Sequence, residues 1–362
     1  MLEIVQLTAA PAVYPMKSPF ESAKRRSTSA ENVLVTVTLA GGVQGFGEGS
    51  PADYVTGETP ESVLRTVNAG ASALVGQDVA RVRRWSPIAR EAFSHQPTAI
   101  CAVEMALLDA LTRAWGVPLW TFLGGATNEI RTDLTVPISA SELAGEIAAE
   151  AFGMGYRSLK IKVGGPNRDE DLERVRAVSA AAPGAGIRLD ANQGFAADEA
   201  LAFLRDCVRL GIPVEMMEQP VPKDNWDALA AVTRGSTVPV IADEAVVDAR
   251  AALRVAATGA AHGVNIKLAK AGLLGALQII QIAQAAGLKL MLGCMLESLL
   301  GIGGALHLAC GTGAFDYLDL DAHALIGLQP TGLPFTQHGD MLRVSEREPG
   351  IGWTPEIRKS GS

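Results

Sequence analysis

Five charged positions, each at the end of a short apolar run, recur at a nearly constant interval. Lys160, Asp190, Glu218, Asp243 and Lys267 are spaced by 30, 28, 25 and 24 residues, each spacing the size of one strand-and-helix unit. No single helix or hairpin can bring them together. The runs are Ser158–Val163, Gly186–Asp190, Val214–Glu218, Val238–Asp243 and Gly263–Lys267, and they read as short buried parallel strands with a polar group at each carboxyl end. Between them lie helical patterns. In 197–210, Leu201, Leu204 and Val208 share one face while Asp198, Glu199, Arg205 and Asp206 take the other, and Gly211 supplies the stop. Similar patterns cover 141–152, 169–181, 226–232, 248–257, 273–286 and 299–310. Alternating strands and helices of this period predict an α/β fold of the (β/α) TIM-like barrel type, in which functional groups gather at the carboxyl ends of the strands.

The chain has 362 residues, more than a hundred of them ahead of the first barrel strand near Thr135, so a second domain is expected. Predicted strands at 2–7, 32–38 and 43–48 and helices at 60–74 and 98–113 give an α+β layer rather than further βα repeats. The expected division is an α+β capping domain over 1–125, the barrel over 126–325, and a tail over 326–362. Pro330, Gly332, Pro334 and Gly339 break the tail's pattern, and it is expected to return to the capping domain.

A net charge of −8 and a pI near 5.3, without a basic stripe, argue against a nucleic-acid partner and for a small substrate. Cys101, Cys207, Cys294 and Cys310 have neither metal-ligand spacing nor disulfide density and read as reduced core thiols. The start lacks a basic and apolar leader pattern, and Lys289 and Glu297 interrupt the most hydrophobic later stretch, so no membrane span is expected and a cytoplasmic protein is.

A single carboxylate at a strand end is usually a helix cap or a surface charge. Three at successive strand ends, Asp190, Glu218 and Asp243, with no nearby His or Cys, instead suggest hard oxygen ligands for Mg²⁺. Lys160 and Lys162 project to the same face because strand side chains alternate. Their ammoniums need the neighbouring carboxylates, while the like charges nearby are expected to lower a lysine's pKa towards that of a general base. Lys270 reads as a charge at a helix end on the surface.

These motifs resemble the enolase superfamily, and within it the muconate-lactonizing-enzyme subgroup, over nearly the whole chain. The resemblance implies that Lys160 and Lys162 on the second barrel strand face Lys267 on the sixth. It likewise implies metal ligands at Asp190 in Asp190-Ala191-Asn192, Glu218 in Glu218-Gln219-Pro220 and Asp243 in Asp243-Glu244. The mandelate-racemase subgroup uses a histidine at the seventh strand, and the segment 287–298 has none. The implied chemistry is removal of a proton α to a carboxylate, giving an enediolate stabilised by the metal, with lysine bases whose pKa is tuned beside Mg²⁺. Lys162 and Lys267 on opposite faces would invert the carbon.

Asp319-Leu320-Asp321 at the eighth-strand position resembles the pair with which dipeptide epimerases hold the substrate's α-ammonium. Muconate and succinylbenzoate carry no ammonium, so this pair disfavours a cycloisomerase or an o-succinylbenzoate synthase-like lyase, and the lysines disfavour a non-catalytic metal-binding barrel. Glu297 matches a seventh-strand glutamate of the subgroup and is expected to support Lys267. Thr135 is expected to line the pocket. Specificity is expected from capping-domain loops around Lys24-Arg25-Arg26 and Tyr54. Arg25 falls five residues after Phe20, where Ala-Glu epimerases carry an arginine for the glutamate side chain. The resemblance therefore implies a Mg²⁺-dependent epimerase of L-Ala-D/L-Glu dipeptides, associated with murein-peptide recycling and forming a homo-oligomer.

Overall fold

A computed structural model describes residues 2–21, 26–93, 96–327 and 333–355. Eight parallel strands curl into one sheet in chain order: Leu134–Val136, Ser158–Lys162, Gly186–Asp190, Val214–Glu218, Val240–Ala242, Gly263–Lys267, Lys289–Gly293 and Tyr317–Leu318. The Asp133 N–H donates to the Leu318 carbonyl at 3.2 Å, tying the last strand back to the first and closing the barrel. Met216, Ile241 and Met291 fill part of its interior, so it is a packed core with a mouth rather than a pore.

Each of the first seven strands returns through a helix. These are Ser141–Met154, Arg168–Ala181, Ala197–Arg209, Trp226–Gly235, Ala249–Thr258, Leu268–Ala286 and Leu299–Thr312. Among the barrel helices the largest departure from the sequence reading is Leu268–Ala286, which begins directly after Lys267 instead of at Leu273. Its first turn is broken at Gly272, whose φ of 68° only glycine adopts freely. This helix is long and apolar enough to cross a membrane by length and composition, but it packs in the barrel wall, with Leu273, Ala276, Ile279, Ile280 and Ala283 buried.

The capping domain has a three-stranded antiparallel sheet, Ile4–Glu21, Arg26–Leu39 and Gln44–Gly49, with its order following the chain. The first strand runs well past the predicted residue 7 because it is an edge: Pro11 and Pro15, opposite Val33 and Ser29, owe no hydrogen bond to a further neighbour. Helix Pro97–Trp115 lies on the sheet. Ideal Cβ atoms on Gly45 and Gly47 would sit 2.3 and 2.1 Å from the carbonyls of Ala106 and Ala102, so only glycine allows the approach. Helix Val82–Ala92 was hidden in the sequence by Arg81, Arg83, Arg84 and Pro87, yet Trp85 and Ala89 bury one face.

The tail forms a hairpin, Phe335–His338 with Met341–Val344, which pairs with Glu129–Arg131 rather than with the capping sheet. Beyond it, Trp353 packs edge-on against Phe46 at 5.2 Å and the Ile351 N–H donates to Asp109 at 2.6 Å, so residues 350–353 do touch the capping domain.

Candidate active site

Parallel register puts Lys162, Asp190 and Glu218 side by side, because these three are successive Cα partners across the second, third and fourth strands. Asp243 lies just beyond the fifth strand, and Lys267 ends the sixth. Lys160, two residues before Lys162, is buried with its Nζ 3.0 Å from Asp190, 2.9 Å from Glu218 and 2.6 Å from Asp319. Lys162 donates to Asp190 Oδ2 at 2.6 Å and to Asn192 Oδ1 at 2.9 Å. Lys267 pairs with Asp243 Oδ2 at 2.9 Å.

Among the described residues no three Asp, Glu, His or Cys side chains converge closely enough to hold a metal as they stand, since lysine ammoniums sit between the carboxylates. The donor set nevertheless fits a hard dication. Glu218 Oε2 and Glu244 Oε2 are buried without a hydrogen bond, and the first of these has only the angularly poor approach of Lys160. Burial, then the neighbouring Asp190 charge, pushes the Glu218 carboxyl up to about 8, a sign of surplus negative charge. Asp190 and Asp243 also lose solvation on burial, but the lysines beside them prevail and hold both well below the usual carboxylate range.

The expectation that crowding would lower the lysine pKa values fails for two of them. Lys160 and Lys267 are also penalised by burial, yet the surrounding carboxylates outweigh this and hold both above the ordinary lysine value. Acids outnumber bases at the mouth, and this sets the sign.

Asp319 accepts from Lys160 and from the Thr135 hydroxyl at 3.4 Å, and Asp321 Oδ2 accepts from the Thr135 N–H at 2.6 Å. Asp321 stands at the N-cap of the short helix Ala322–Leu325 but makes no side-chain cap, being turned towards Thr135 instead. Burial and then Asp319 push its carboxyl up to about 6. Glu297 is buried too, accepts from the Met295 N–H at 3.1 Å, and is pushed up to about 8 mainly by burial; Lys267 acts on it only through its charge.

Lys160, Lys162, Lys267, Asp243, Thr135, Asp319, Asp321 and Tyr54 line one cavity of about 520 Å³, which runs from the barrel mouth to capping-domain residues 27–32 and 50–61. Asp190, Glu218 and Glu297 lie behind this wall. Arg25 and Lys24 fall outside the described residues, and Arg26 is an exposed strand residue opposite Glu21.

Several site residues had no role in the sequence reading. Lys270 is not a surface charge: it is buried and donates to Asp243 Oδ1 at 2.5 Å, Asp243 O at 2.6 Å and Asn265 O at 3.0 Å. The direct strand-to-helix junction and the Gly272 break turn it inward. Asn265 donates to Glu218 at 2.6 Å, and its spacing of two from Lys267 could have revealed it. Gln219 Oε1 accepts from the Asp243 N–H at 2.9 Å. Asn192, Gln193 and Gln219 have φ values of 40°, 71° and 32°, so backbone strain gathers at these strand ends. Cys294, expected in the core, lines the cavity.

Comparison with known proteins gives this geometry a family. Residues 4–124 match the mandelate racemase / muconate lactonizing enzyme N-terminal domain, and residues 128–359 match the enolase C-terminal domain-like family. The aromatic dipeptide epimerase of Herpetosiphon aurantiacus is 39% identical over 343 residues, 94% of this chain and 96% of that protein. A substrate-liganded structure of the L-Ala-D/L-Glu epimerase from Bacillus subtilis superposes with a TM-score of 0.95 at 32% identity, covering 98% of this chain and 99% of that one. The dipeptide epimerase from Enterococcus faecalis V583, in complex with Mg and L-Leu-L-Tyr, gives a TM-score of 0.93 at 31% identity, covering 97% and 99%.

Proposed function

This chain belongs to the enolase superfamily, in its mandelate racemase and muconate lactonizing enzyme branch, and we propose that it is a Mg²⁺-dependent dipeptide epimerase. The observation that carries this reading is the convergence of Lys162, Lys267 and the Asp319–Asp321 pair on one cavity. Two lysines at the ends of the second and sixth strands approach a bound α-carbon from different sides. One removes the α-proton of the second residue, and the other returns a proton to the opposite face. Lys160, bonded to three carboxylates, keeps its proton and contributes fixed positive charge beside the substrate carboxylate.

Asp190, Glu218 and Asp243 would hold the cation, with Lys270 and Asn265 fixing Asp243 and Glu218 from behind. When bound, Mg²⁺ supplies positive charge that stabilises the negative charge developing on the substrate's carboxylate. Asp319 and Asp321 would receive the substrate's α-ammonium, their buried charge matched by a cation that the lyase substrates of this branch lack. An L-Ala-D/L-Glu substrate, the expectation attached to Arg25, would place the protein in cytoplasmic recycling of murein peptides. The relatives are named for aromatic dipeptides and for L-Ala-D/L-Glu, so dipeptide epimerisation is what they share.

Incubation with a panel of dipeptides in D₂O, followed by mass spectrometry and chiral analysis, tests the reading. Deuterium should enter the α-carbon of the second residue with inversion, stop with EDTA and return with Mg²⁺. A protein that exchanges no dipeptide, or exchanges equally well after chelation, is something else.

A further inference from the structure

Glu48 is not among the residues lining the cavity, yet its position bears on the cavity's shape. It lies in capping strand Gln44–Gly49, and its buried carboxylate accepts from the Ser298 N–H at 2.9 Å, the Gly301 N–H at 3.2 Å, the Ser298 hydroxyl and the Asn32 amide. No cation is among these partners. The Asn32 amide also donates to the Leu296 carbonyl at 2.9 Å, and the Ser50 hydroxyl reaches the same carbonyl at 3.0 Å. Bonds from the capping sheet thus bracket residues 296–298 on both sides. Cys294, Met295 and Leu296 form one wall of the cavity, and Ser50 opens the capping segment 50–55 that forms the facing wall. The bracketed loop has little slack, because a Cβ on Gly301 would lie 2.9 Å from the Glu297 side chain.

We propose that Glu48, acting through Ser298 and Asn32, is a positioning residue that locks the Cys294–Leu296 wall to the capping domain and so determines which second residue of the substrate is accepted. The clause about the second residue rests on the dipeptide reading; the lock itself does not. The bases and the carboxylates proposed for the metal hang from other strands, so the lock should act on recognition more than on chemistry. Gln at this position would turn an N–H towards donors that now meet an acceptor, loosening the loop without changing side-chain size.

In Glu48→Gln, the ratio of kcat/KM between a dipeptide with a large apolar second residue and one with a small second residue should shift by about fivefold or more, mostly in KM. Ser298→Ala should shift it the same way by less, and Ser298→Thr should restore the parent ratio. If Glu48→Gln does not fold, the two Ser298 variants decide the matter. An unchanged ratio in folded variants overturns the proposal, because a purely structural bond would lower stability alone. Hydrogen exchange separates this from failure of the dipeptide reading: amides at 294–301 should exchange about tenfold faster in Glu48→Gln than in the parent, with the rest of the barrel unchanged. Equal rates there sink the lock whatever the substrate proves to be.

Discussion

Two groups of buried carboxylates in this protein are held in opposite ways. At the barrel mouth, Asp190, Asp243 and Asp319 each sit within 3.0 Å of an ammonium, and all three are held below the usual carboxylate range despite burial. At the joint between capping domain and barrel, Glu48 and Glu58 meet hydroxyls, amides and backbone N–H groups, and burial raises both. Glu104, with Arg90 no nearer than 4.0 Å, is raised to about 7. The carboxyl group thus meets ammoniums in one place and neutral hydrogen-bond donors in the other. For these groups the difference lies in whether neighbouring cations outweigh the cost of burial; Glu218, with Lys160 at 2.9 Å but Asp190 beside it, is raised like the carboxyls of the joint.

The comparison breaks most sharply at the lysines. If the mouth is the reactive region, Lys162→Ala and Lys267→Ala should each lower epimerisation by about 10³-fold, the effect of losing a positioned general base. Each variant should still exchange deuterium from one stereoisomer, and opposite ones. Near-parent epimerisation in both would remove the distinction between the two regions altogether. Next in size is a steric test of the joint. In Gly47→Ala the new Cβ would lie 2.1 Å from the Ala102 carbonyl, forcing strand and helix apart at a cost of about 3 kcal/mol. Urea denaturation should show that loss, and a parent-like midpoint would mean the joint is looser than its distances imply.

Asp321→Asn tests the part of the mouth that depends least on a lysine. It removes a charge while keeping an oxygen for the Thr135 N–H, and kcat/KM should fall about 30-fold, about 2 kcal/mol, for every dipeptide alike. N-acetylated dipeptides should be poor on the parent and no worse on the variant. A loss confined to some second residues would place Asp321 in side-chain selection instead.

The two regions also differ in how far the sequence discloses them. Lys160, Asp190, Glu218, Asp243 and Lys267 stand at the ends of regularly spaced apolar runs, and parallel register turns that spacing into proximity. Lys270 escaped because its inward turn depends on one left-handed glycine, and the pattern of a helix end looks the same whichever way its lysine points. At the joint, Glu48 and Ser298 are 250 residues apart, and Glu104 and Leu274 are 170 apart. No periodicity links them, so local pattern cannot pair them. The edge strand failed for the reverse reason: Pro11 and Pro15 signal a break locally, and only the sheet order shows that their missing donors cost nothing.

The last test belongs to Glu104, and it sharpens the comparison through pH rather than activity. Burial raises its carboxyl from 4.5 to about 7 in the folded protein, with the Leu274 N–H and Arg90 only partly opposing. Folded chains therefore hold a proton there that unfolded chains have released between pH 4.5 and about 7. Its contribution is fully present below pH 4.5 and is lost as pH rises through about 7, at up to about 1.4 kcal/mol per pH unit within that window. Glu104→Gln mimics the protonated form and does not titrate. Compared with the parent in urea, it should be within about 1 kcal/mol at pH 5 and gain relative stability by pH 8, other groups cancelling in the difference. A parent–variant difference independent of pH would mean that Glu104 is charged throughout, and that Arg90 pairs with it as the lysines pair with the carboxylates of the mouth.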